Sequence, residues 1–160
     1  MIDVKEITWE NFWEVIRLSP LEDQKDYLQD VSVFLAQSYV NLKSDYPDIS
    51  LAIYKDQRLI GYSKIVYVPK DIGPYYLDMD AYLIDAFLID YKYQQQGYGR
   101  KAFERVLNYI KDFPFGKCEH MVLTCYDDNQ VARGLFESYG FRKSKVKNKE
   151  QSLYIYQKKI

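Results

Sequence analysis

The spacing of hydrophobic residues in the N-terminal part of the chain predicts one strand and two helices. Residues 2–8 form a short segment typical of a strand. Apolar residues then recur at i, i+3 and i+4, which predicts an amphipathic helix from an N-cap at Thr8 to Ser19. A second helix is predicted from Asp30 to the Tyr46-Pro47 pair, because the residue before a proline disfavours helical backbone.

The middle of the chain has the pattern of a β-hairpin. Residues 51–54 and 59–68 are rich in β-branched and aromatic side chains, and the polar residues 55–58 between them predict a turn. The segment from Pro69 to Pro74 is predicted as a loop.

A strand–helix–strand pattern occupies the second half of the chain. Residues 81–89 and 120–126 are nearly continuous apolar segments, as in strands buried on both faces, and residues 100–111 have helical spacing. Residues 127–138 predict a capped helix and residues 153–157 a last strand. The order β-α-α-β-β-β-α-β-α-β predicts a mixed α/β fold with a partly parallel sheet.

Composition favours one globular domain. The chain of 160 residues is 48% hydrophobic and 28% charged, and no Pro/Gly/Ser-rich linker divides it. Apolar runs fall short of the roughly 18 residues of a membrane span, the N-terminus lacks a signal-peptide pattern, and two cysteines fit a reducing compartment. We expect a single cytoplasmic domain over residues 1–160 that binds no membrane. The single histidine, His120, excludes a multi-histidine metal site.

Charge is distributed unevenly, although the net charge is only −1. Residues 1–90 carry 16 acidic and 8 basic side chains, whereas residues 91–160 carry 7 acidic and 14 basic ones. The stretch 71–90 contains five aspartates and no basic residue, and 142–149 contains five basic residues. An acidic segment favours a cationic ligand and a basic one an anionic ligand. The overall balance argues against a nucleic-acid-binding protein.

A Gly-x-Gly turn between a predicted strand and a predicted helix indicates an anion site. The unpaired N–H groups at a helix N-terminus bind anions, and Gly97 and Gly99 allow close approach of the backbone to a phosphate. Arg100 and Lys101 add two positive charges. Together these features predict a phosphate ligand, expected to be a pyrophosphate. The Walker pattern and the G-x-G-x-x-G pattern of two familiar phosphate-binding loops are both missing.

Two motifs resemble those of the GNAT superfamily of acetyl-CoA-dependent N-acetyltransferases. The segment 94–99, QQQGYG, is similar to the family signature Q/R-x-x-G-x-G/A, and the preceding DAFLID resembles the family's fourth strand. The second motif, N-x-x-A-x-x-L-Y-x-x-x-G-F, is matched at Asn129, Ala132, Leu135, Gly140 and Phe141. The resemblance implies a mixed, mostly antiparallel central sheet that is splayed between its fourth and fifth strands and flanked by helices.

The resemblance also implies acetyl-CoA as cosubstrate, with no metal. In the family, the pantetheine arm pairs with the open edge of the splayed fourth strand, as an added strand would. The diphosphate lies on the N–H groups of the Gly-x-Gly turn. The positions carried over for acetyl-CoA are Phe87, Leu88, Ile89, Gln94, Gln95, Gln96, Gly97, Tyr98, Gly99, Arg100, Lys101 and Asn129.

The same resemblance supplies candidates for proton transfer. An alkyl amine with a pKa of about 10.4 is mostly protonated at pH 7, and a carboxylate can accept its proton. Asp85, on the fourth strand where many family members carry an acidic residue, is the predicted base. Family members commonly protonate the leaving thiolate with the Tyr of the second motif, but this chain has Phe136 there. Tyr139 is the predicted catalytic substitute, and Tyr126 or water stay open.

The acceptor is predicted to be a small-molecule amine, foremost a polyamine such as spermidine or spermine. The segment DAFLIDYKYQQQGYG is similar to the bacterial spermine/spermidine and diamine acetyltransferase branch, and the acidic stretch suits a cationic acceptor. Another small amine or a protein amine stays open, as does a non-catalytic CoA-binding regulatory module, which Phe136 favours. Family members often dimerise through sheet edges or C-terminal strands, so a homodimer through residues 153–156 is compatible with the sequence.

Overall fold

The computed structural model describes residues 1–71 and 77–160. Its strands and helices are β1 (Ile2–Glu6), α1 (Phe12–Val15), α2 (Val31–Asn41), β2 (Asp48–Lys55), β3 (Arg58–Val68), β4 (Ala81–Ile89), α3 (Tyr98–Lys111), β5 (His120–Tyr126), α4 (Gln130–Ser138), β6 (Arg142–Asn148) and β7 (Leu153–Lys159). Short 3-10 helices occupy Glu22–Tyr27 and Tyr91–Tyr93. Residues 72–74 of the predicted loop Pro69–Pro74 lie outside the described residues.

One seven-stranded sheet, in the order β1-β2-β3-β4-β5-β7-β6, organises the fold. Neighbouring strands are antiparallel except for β4 and β5, which are parallel. The parallel pairing covers three residue pairs, from Tyr82↔Met121 to Ile84↔Leu123, although both strands continue beyond them. The expected α/β fold with a sheet splayed between its fourth and fifth strands is therefore confirmed.

Helices cover both faces of the sheet. The apolar residues of α3 recur at helical spacing, and the five buried ones are Ala102, Phe103, Val106, Leu107 and Ile110. They pack into a core with inward-facing residues of β2 to β5. On the opposite face, Val31 and Phe34 of α2 pack with Val15 of α1 against Tyr62 and Leu88. None of the described helices is long and apolar enough to cross a bilayer.

The first helix is shorter than the sequence predicts, and Thr8 is not its N-cap. Helix α1 covers only Phe12–Val15 and begins after Asn11. The Asn11 side chain accepts a hydrogen bond from the Thr8 N–H (2.9 Å) and donates one to the Glu6 carbonyl (3.0 Å). These two bonds fold residues 6–11 into a turn directly after β1, which delays the start of the helix.

The sequence did not predict β6, which is the basic segment. This strand pairs with β7 and is exposed along nearly its whole length, so it has no apolar alternation to reveal it. Lysines on an outer strand discourage edge-to-edge association. Because β7 lies between β5 and β6, neither of its edges is free in the sheet. A homodimer through residues 153–156 stays a prediction. The outer strands are β1 and β6.

Asp85 is the extra residue of a β-bulge in β4. The β3–β4 register passes from Lys64↔Ala86 to Ile65↔Ile84 and leaves Asp85 without an opposite residue. A bulge twists its strand and redirects a side chain. Ile84 and Phe87 pack into the same core although they lie three residues apart, whereas Ala86 packs into the core on the other face. The bulge therefore changes which face each later residue of β4 occupies.

Candidate active site

The separation of β4 from β5 opens a cavity of about 640 Å³. One wall is β4 from Leu83 to Ile89, and the facing wall is β5 from Leu123 to Tyr126. The start of α3 and the inner face of α4 border one side. The other side is bordered by the segment between α1 and α2 and by α2 itself, which contribute Gln24, Tyr27, Leu28, Gln29, Phe34 and Gln37.

Asp85 reaches this cavity from the bulge, and its side chain is 18% exposed. Its Oδ2 lies 3.2 Å from Nζ of Lys64, a side chain that is completely buried. Burial raises the pKa of Asp85 above its usual value, and the Lys64 ammonium partly opposes this rise. A carboxyl group with a raised pKa is a stronger base when ionised, which suits proton transfer from an amine.

The Gly-x-Gly turn brings backbone N–H groups to one end of the cavity. Gln95 and Gly97 both adopt positive φ (59° and 77°), so the chain turns sharply into α3. The first turn of α3 contains no acidic residue, and its N–H groups lack intrahelical acceptors. Because these groups and the helix dipole attract negative charge, the turn fits a diphosphate.

Glutamine side chains hold this turn in place. Gln94 Nε2 donates to the Ile89 carbonyl (2.9 Å) and to Gln24 Oε1 (2.8 Å), which ties the end of β4 to the segment before α2. Gln96 Nε2 donates to the Lys92 carbonyl (3.0 Å). The conformations of Gln94 and Gln96 are therefore explained by their own contacts.

The predicted acetyl-CoA residues divide into two sets in the structure. Those that line the cavity are Phe87, Leu88, Ile89, Gln94, Gln95, Gly99 and Asn129. Those outside its lining are Gln96, Gly97, Tyr98, Arg100 and Lys101, which form the outer part of the turn and the exposed start of α3. The first set lies around the space between the strands, and the second lies in the turn and the first residues of α3, beside the cavity.

Asn129 is the N-cap of α4 and also faces the cavity. Its Oδ1 accepts a hydrogen bond from the Ala132 N–H at 3.2 Å. Its motif partners Ala132, Leu135 and Phe136 line the same cavity. The second motif therefore forms the side of the cavity that α4 borders.

The two tyrosines considered for thiolate protonation lie in different places. The Tyr139 hydroxyl donates to the Arg100 carbonyl (2.9 Å), its ring packs on Phe103, and it is not among the residues that line the cavity. Tyr126, at the end of β5, does line the cavity and packs against Tyr27 with ring centroids 5.5 Å apart. Phe136 also lines the cavity but brings no hydroxyl. The catalytic role of Tyr139 stays a prediction, and the geometry favours Tyr126.

Cys125 also lines the cavity, but as an unreactive thiol. Burial raises the pKa of Cys125 to about 11, so the thiolate is scarce at neutral pH. A cysteine in this state is a poor nucleophile. The described residues also contain no group of three or more His, Cys, Asp or Glu side chains that could hold a metal ion.

Sequence reasoning missed the side of the cavity that the segment between α1 and α2, and α2 itself, form. Gln24, Tyr27 and Gln37 come from the chain before β2 and carry no local motif, and the tertiary fold brings them opposite β5. It also missed Lys64, for which a signal was present: a lysine in the predicted strand 59–68 among apolar and aromatic residues.

The site's features define a class of protein that the sequence comparisons support. The chain matches the acetyltransferase (GNAT) family over residues 7–141 and belongs to it. Members of this family use acetyl-CoA, so this protein is an acetyltransferase.

Individual relatives are distant. The chain is 23% identical over 145 residues to the spermine/spermidine N(1)-acetyltransferase of Bacillus subtilis (strain 168), covering 88% of each. It is similar in fold to the PaiA N-acetyltransferase of Thermoplasma acidophilum in complex with coenzyme A, with a TM-score of 0.68 and 15% identity over 100% and 99% of the two chains. The ribosomal-protein-S18-alanine N-acetyltransferase of Escherichia coli gives a TM-score of 0.67 and 15% identity over 100% and 94%.

Proposed function

We propose that this protein transfers the acetyl group of acetyl-CoA to a primary amine of a polyamine, with Asp85 as the base. The observation that carries the proposal is the cavity between the separated strands. It has unpaired N–H groups of a helix at one end and a half-buried carboxylate on its wall. We further propose that the chain acts as a single cytoplasmic domain.

Acetyl-CoA would lie along β4 and end at the turn before α3. Beyond Ile84, the β4 residues have no register with β5, so their backbone can pair with the peptide-like pantetheine arm through Phe87, Leu88 and Ile89. The diphosphate would contact N–H groups between Gln95 and Arg100. Arg100 and Lys101 would add charge from the outer side of the turn.

Asp85 accepts the proton that the amine must lose. The neutral nitrogen attacks the thioester carbonyl carbon, a C–N bond forms, and the C–S bond breaks with its electron pair going to sulfur. The amine proton goes to Asp85, directly or through water, and the thiolate takes a proton from a hydroxyl or from water. Cys125 takes no part, because its raised pKa keeps it protonated, so transfer to the amine is direct.

The polyamine assignment has two supports. The Bacillus subtilis relative is named for acetylation of spermine and spermidine, and the identity extends over most of both chains. The carboxylate of Asp85 on the cavity wall favours a cationic acceptor. A second candidate, the α-amine of a protein, is favoured by the similarity to the S18-alanine N-acetyltransferase fold.

A panel of acceptors tests the proposal. Release of CoA thiol would be followed with spermidine, spermine, putrescine, a lysine derivative, an amino sugar and a peptide with an N-terminal alanine. We expect kcat/KM for a polyamine to exceed that for the others by at least about tenfold. Good turnover of another amine with none of a polyamine would end the polyamine assignment and leave the acetyltransferase activity intact.

Calorimetry with CoA separates an enzyme from a binding module. We expect the wild-type protein to bind CoA and to turn over at least one amine. Binding without turnover of any amine would indicate a non-catalytic CoA-binding module. An absence of binding heat would overturn the placement of acetyl-CoA in the cavity.

A further inference from the structure

A completely buried lysine lies behind the proposed base. The Lys64 side chain is 0% exposed and is not among the residues that line the cavity, so it does not meet the acceptor. A lysine is almost never fully buried unless it is paired, because removing a charge from water is unfavourable. Because Lys64 lies next to Asp85, its charge acts on that carboxylate.

Lys64 lies between two carboxylates on three adjacent strands. Its Nζ is 3.2 Å from Oδ2 of Asp85 on β4 and 3.5 Å from Oδ2 of Asp48 on β2. Asp48 is 6% exposed and accepts a hydrogen bond from Asn41 Nδ2 at 2.6 Å. Phe34 of α2 covers the ammonium, with its ring centroid 5.9 Å from Nζ. The charges therefore form a row from the protein interior, where Asp48 lies, to the cavity, where Asp85 lies.

Other ionisable groups act on Asp85 from the elements around it. Lys147 of β6 lines the cavity and is close enough to favour the carboxylate, and Asp48 disfavours it. Tyr62 of β3 is neutral at physiological pH, because burial raises its pKa. Lys64 is therefore the nearest cation to Asp85 and the strongest influence that favours its ionised form.

We propose that Lys64 is a positioning residue that keeps the Asp85 carboxylate ionised and aimed into the cavity, and that Asp48 limits how strongly it does so. The inference rests on the proposed function, since it assigns this role through Asp85 as the base. Without Lys64, the half-buried carboxyl group would hold its proton to a higher pH and could not accept one from the amine. Without Asp48, Lys64 would favour the carboxylate more strongly.

Two substitutions in the same row therefore have opposite expected effects on the pH profile. Lys64→Met removes the cation, so the acidic limb of kcat/KM moves to higher pH by about one unit or more, and at any pH on that limb kcat/KM falls about tenfold. Asp48→Asn removes the competing anion and keeps an acceptor for Asn41, so the limb moves to lower pH. If Lys64 and Asp48 had a purely structural role, both variants would have a lower maximal kcat/KM, and the acidic limb of the pH profile would stay at the wild-type pH.

A titration of Asp85 without substrate separates this inference from the proposed function. The ¹³C shift of the Asp85 carboxyl carbon would be followed against pH in the wild-type protein, Lys64→Met and Asp48→Asn. An upward move of its pKa in the first variant and a downward move in the second would support the inference, even if no amine is acetylated. An unchanged pKa in both would overturn it, whatever the activity.

If Lys64→Met does not fold, a double variant tests the same inference. The double variant Lys64→Met/Asp48→Asn removes one charge of each sign, so it keeps the net charge of the buried row. We expect it to fold, as judged by circular dichroism, and to show an acidic limb above that of Asp48→Asn alone. If the double variant and Asp48→Asn have the same limb, Lys64 does not act on Asp85.

Discussion

Asp85 owes its position to one extra residue in β4. A regular strand would place it opposite a residue of β3, but the bulge leaves it unpaired and turns its carboxylate toward the cavity. The sequence predicted Asp85 as the base through the resemblance to the family, whose members often carry an acidic residue on this strand. The bulge itself could not be predicted, because a strand that is apolar on both faces has no alternation in which a shift would show.

Asp85→Asn is expected to lower kcat/KM at neutral pH by about 10²–10⁴-fold, the usual contribution of a general base. Because burial raises the pKa of Asp85, wild-type activity should fall as pH decreases through that pKa, and the variant should lack this limb. The difference in kcat/KM between the variant and the wild type should shrink as pH approaches the amine's own pKa of about 10.4, because the amine then loses its proton to solvent. Steady-state kinetics across pH would measure both effects, with the exposed Asp112→Asn as control. An unchanged profile would remove Asp85 from the role.

The two tyrosines can be separated by the same kinetics. Tyr126 lines the cavity, whereas the Tyr139 hydroxyl is bonded to the Arg100 carbonyl. We expect Tyr126→Phe to lower kcat by about tenfold or more and Tyr139→Phe to leave it within about twofold, because Tyr126 lines the cavity and Tyr139 does not. The reverse order would restore Tyr139 as the acid, and two unaffected variants would leave water as the proton donor.

At the scale of elements, the sequence predicted most accurately those strands whose own residues form a clear apolar run. The strands β4 and β5 agree with the predicted segments 81–89 and 120–126, because each is a continuous apolar run bounded by polar residues. Helix α1 is shorter than predicted, because the hydrogen bonds of Asn11 fold the chain into a turn before it. Strand β6 was missed, because it is exposed and has no apolar alternation.

The β3–β4 pair depends on a glycine for which the sequence gave no signal. A Cβ at Gly61 would meet the Leu88 carbonyl oxygen well inside contact distance, so the strands would have to move apart. Gly61→Ala should therefore lower the free energy of unfolding by about 1–3 kcal/mol. Gly134→Ala is the matched control, because nothing lies within 4 Å of its Cβ in α4, and it should raise stability by about 0.5–1 kcal/mol. Urea denaturation of both variants would measure this, and equal stabilities would contradict the packing argument.

At the scale of the whole molecule, the cavity is lined by two parts of the chain with different origins. One part is residues 81–141, the proposed acetyl-CoA side, where consecutive elements place their motifs side by side and the family resemblance made the motifs recognisable. The other part is residues 20–37, the proposed acceptor side, which reaches the cavity through the packing of α1 and α2 on the sheet. This second part depends on long-range contacts and could not be predicted from local pattern.

Because acetyl-CoA would complete a sheet that the protein leaves open, ligand binding should stabilise the whole fold. At CoA concentrations about 100-fold above Kd, the stabilisation is about 2.7 kcal/mol, which raises Tm by roughly 5–10 °C for a chain of this size. Differential scanning fluorimetry would measure the shift, with adenosine as a control that lacks the diphosphate and the arm. An equal shift with adenosine, or none with CoA, would contradict binding between β4 and β5.

The short register between β4 and β5 also has a dynamic consequence. Backbone amides of residues 85–88 that point toward β5 belong to a central strand, yet they lack the neighbour that slows exchange with solvent deuterium. In the free protein they should exchange as quickly as those of a surface turn, while the opposite edge of the same strand stays protected by β3. One strand would thus carry two exchange rates, and the fast side would become slow when a ligand occupies the gap.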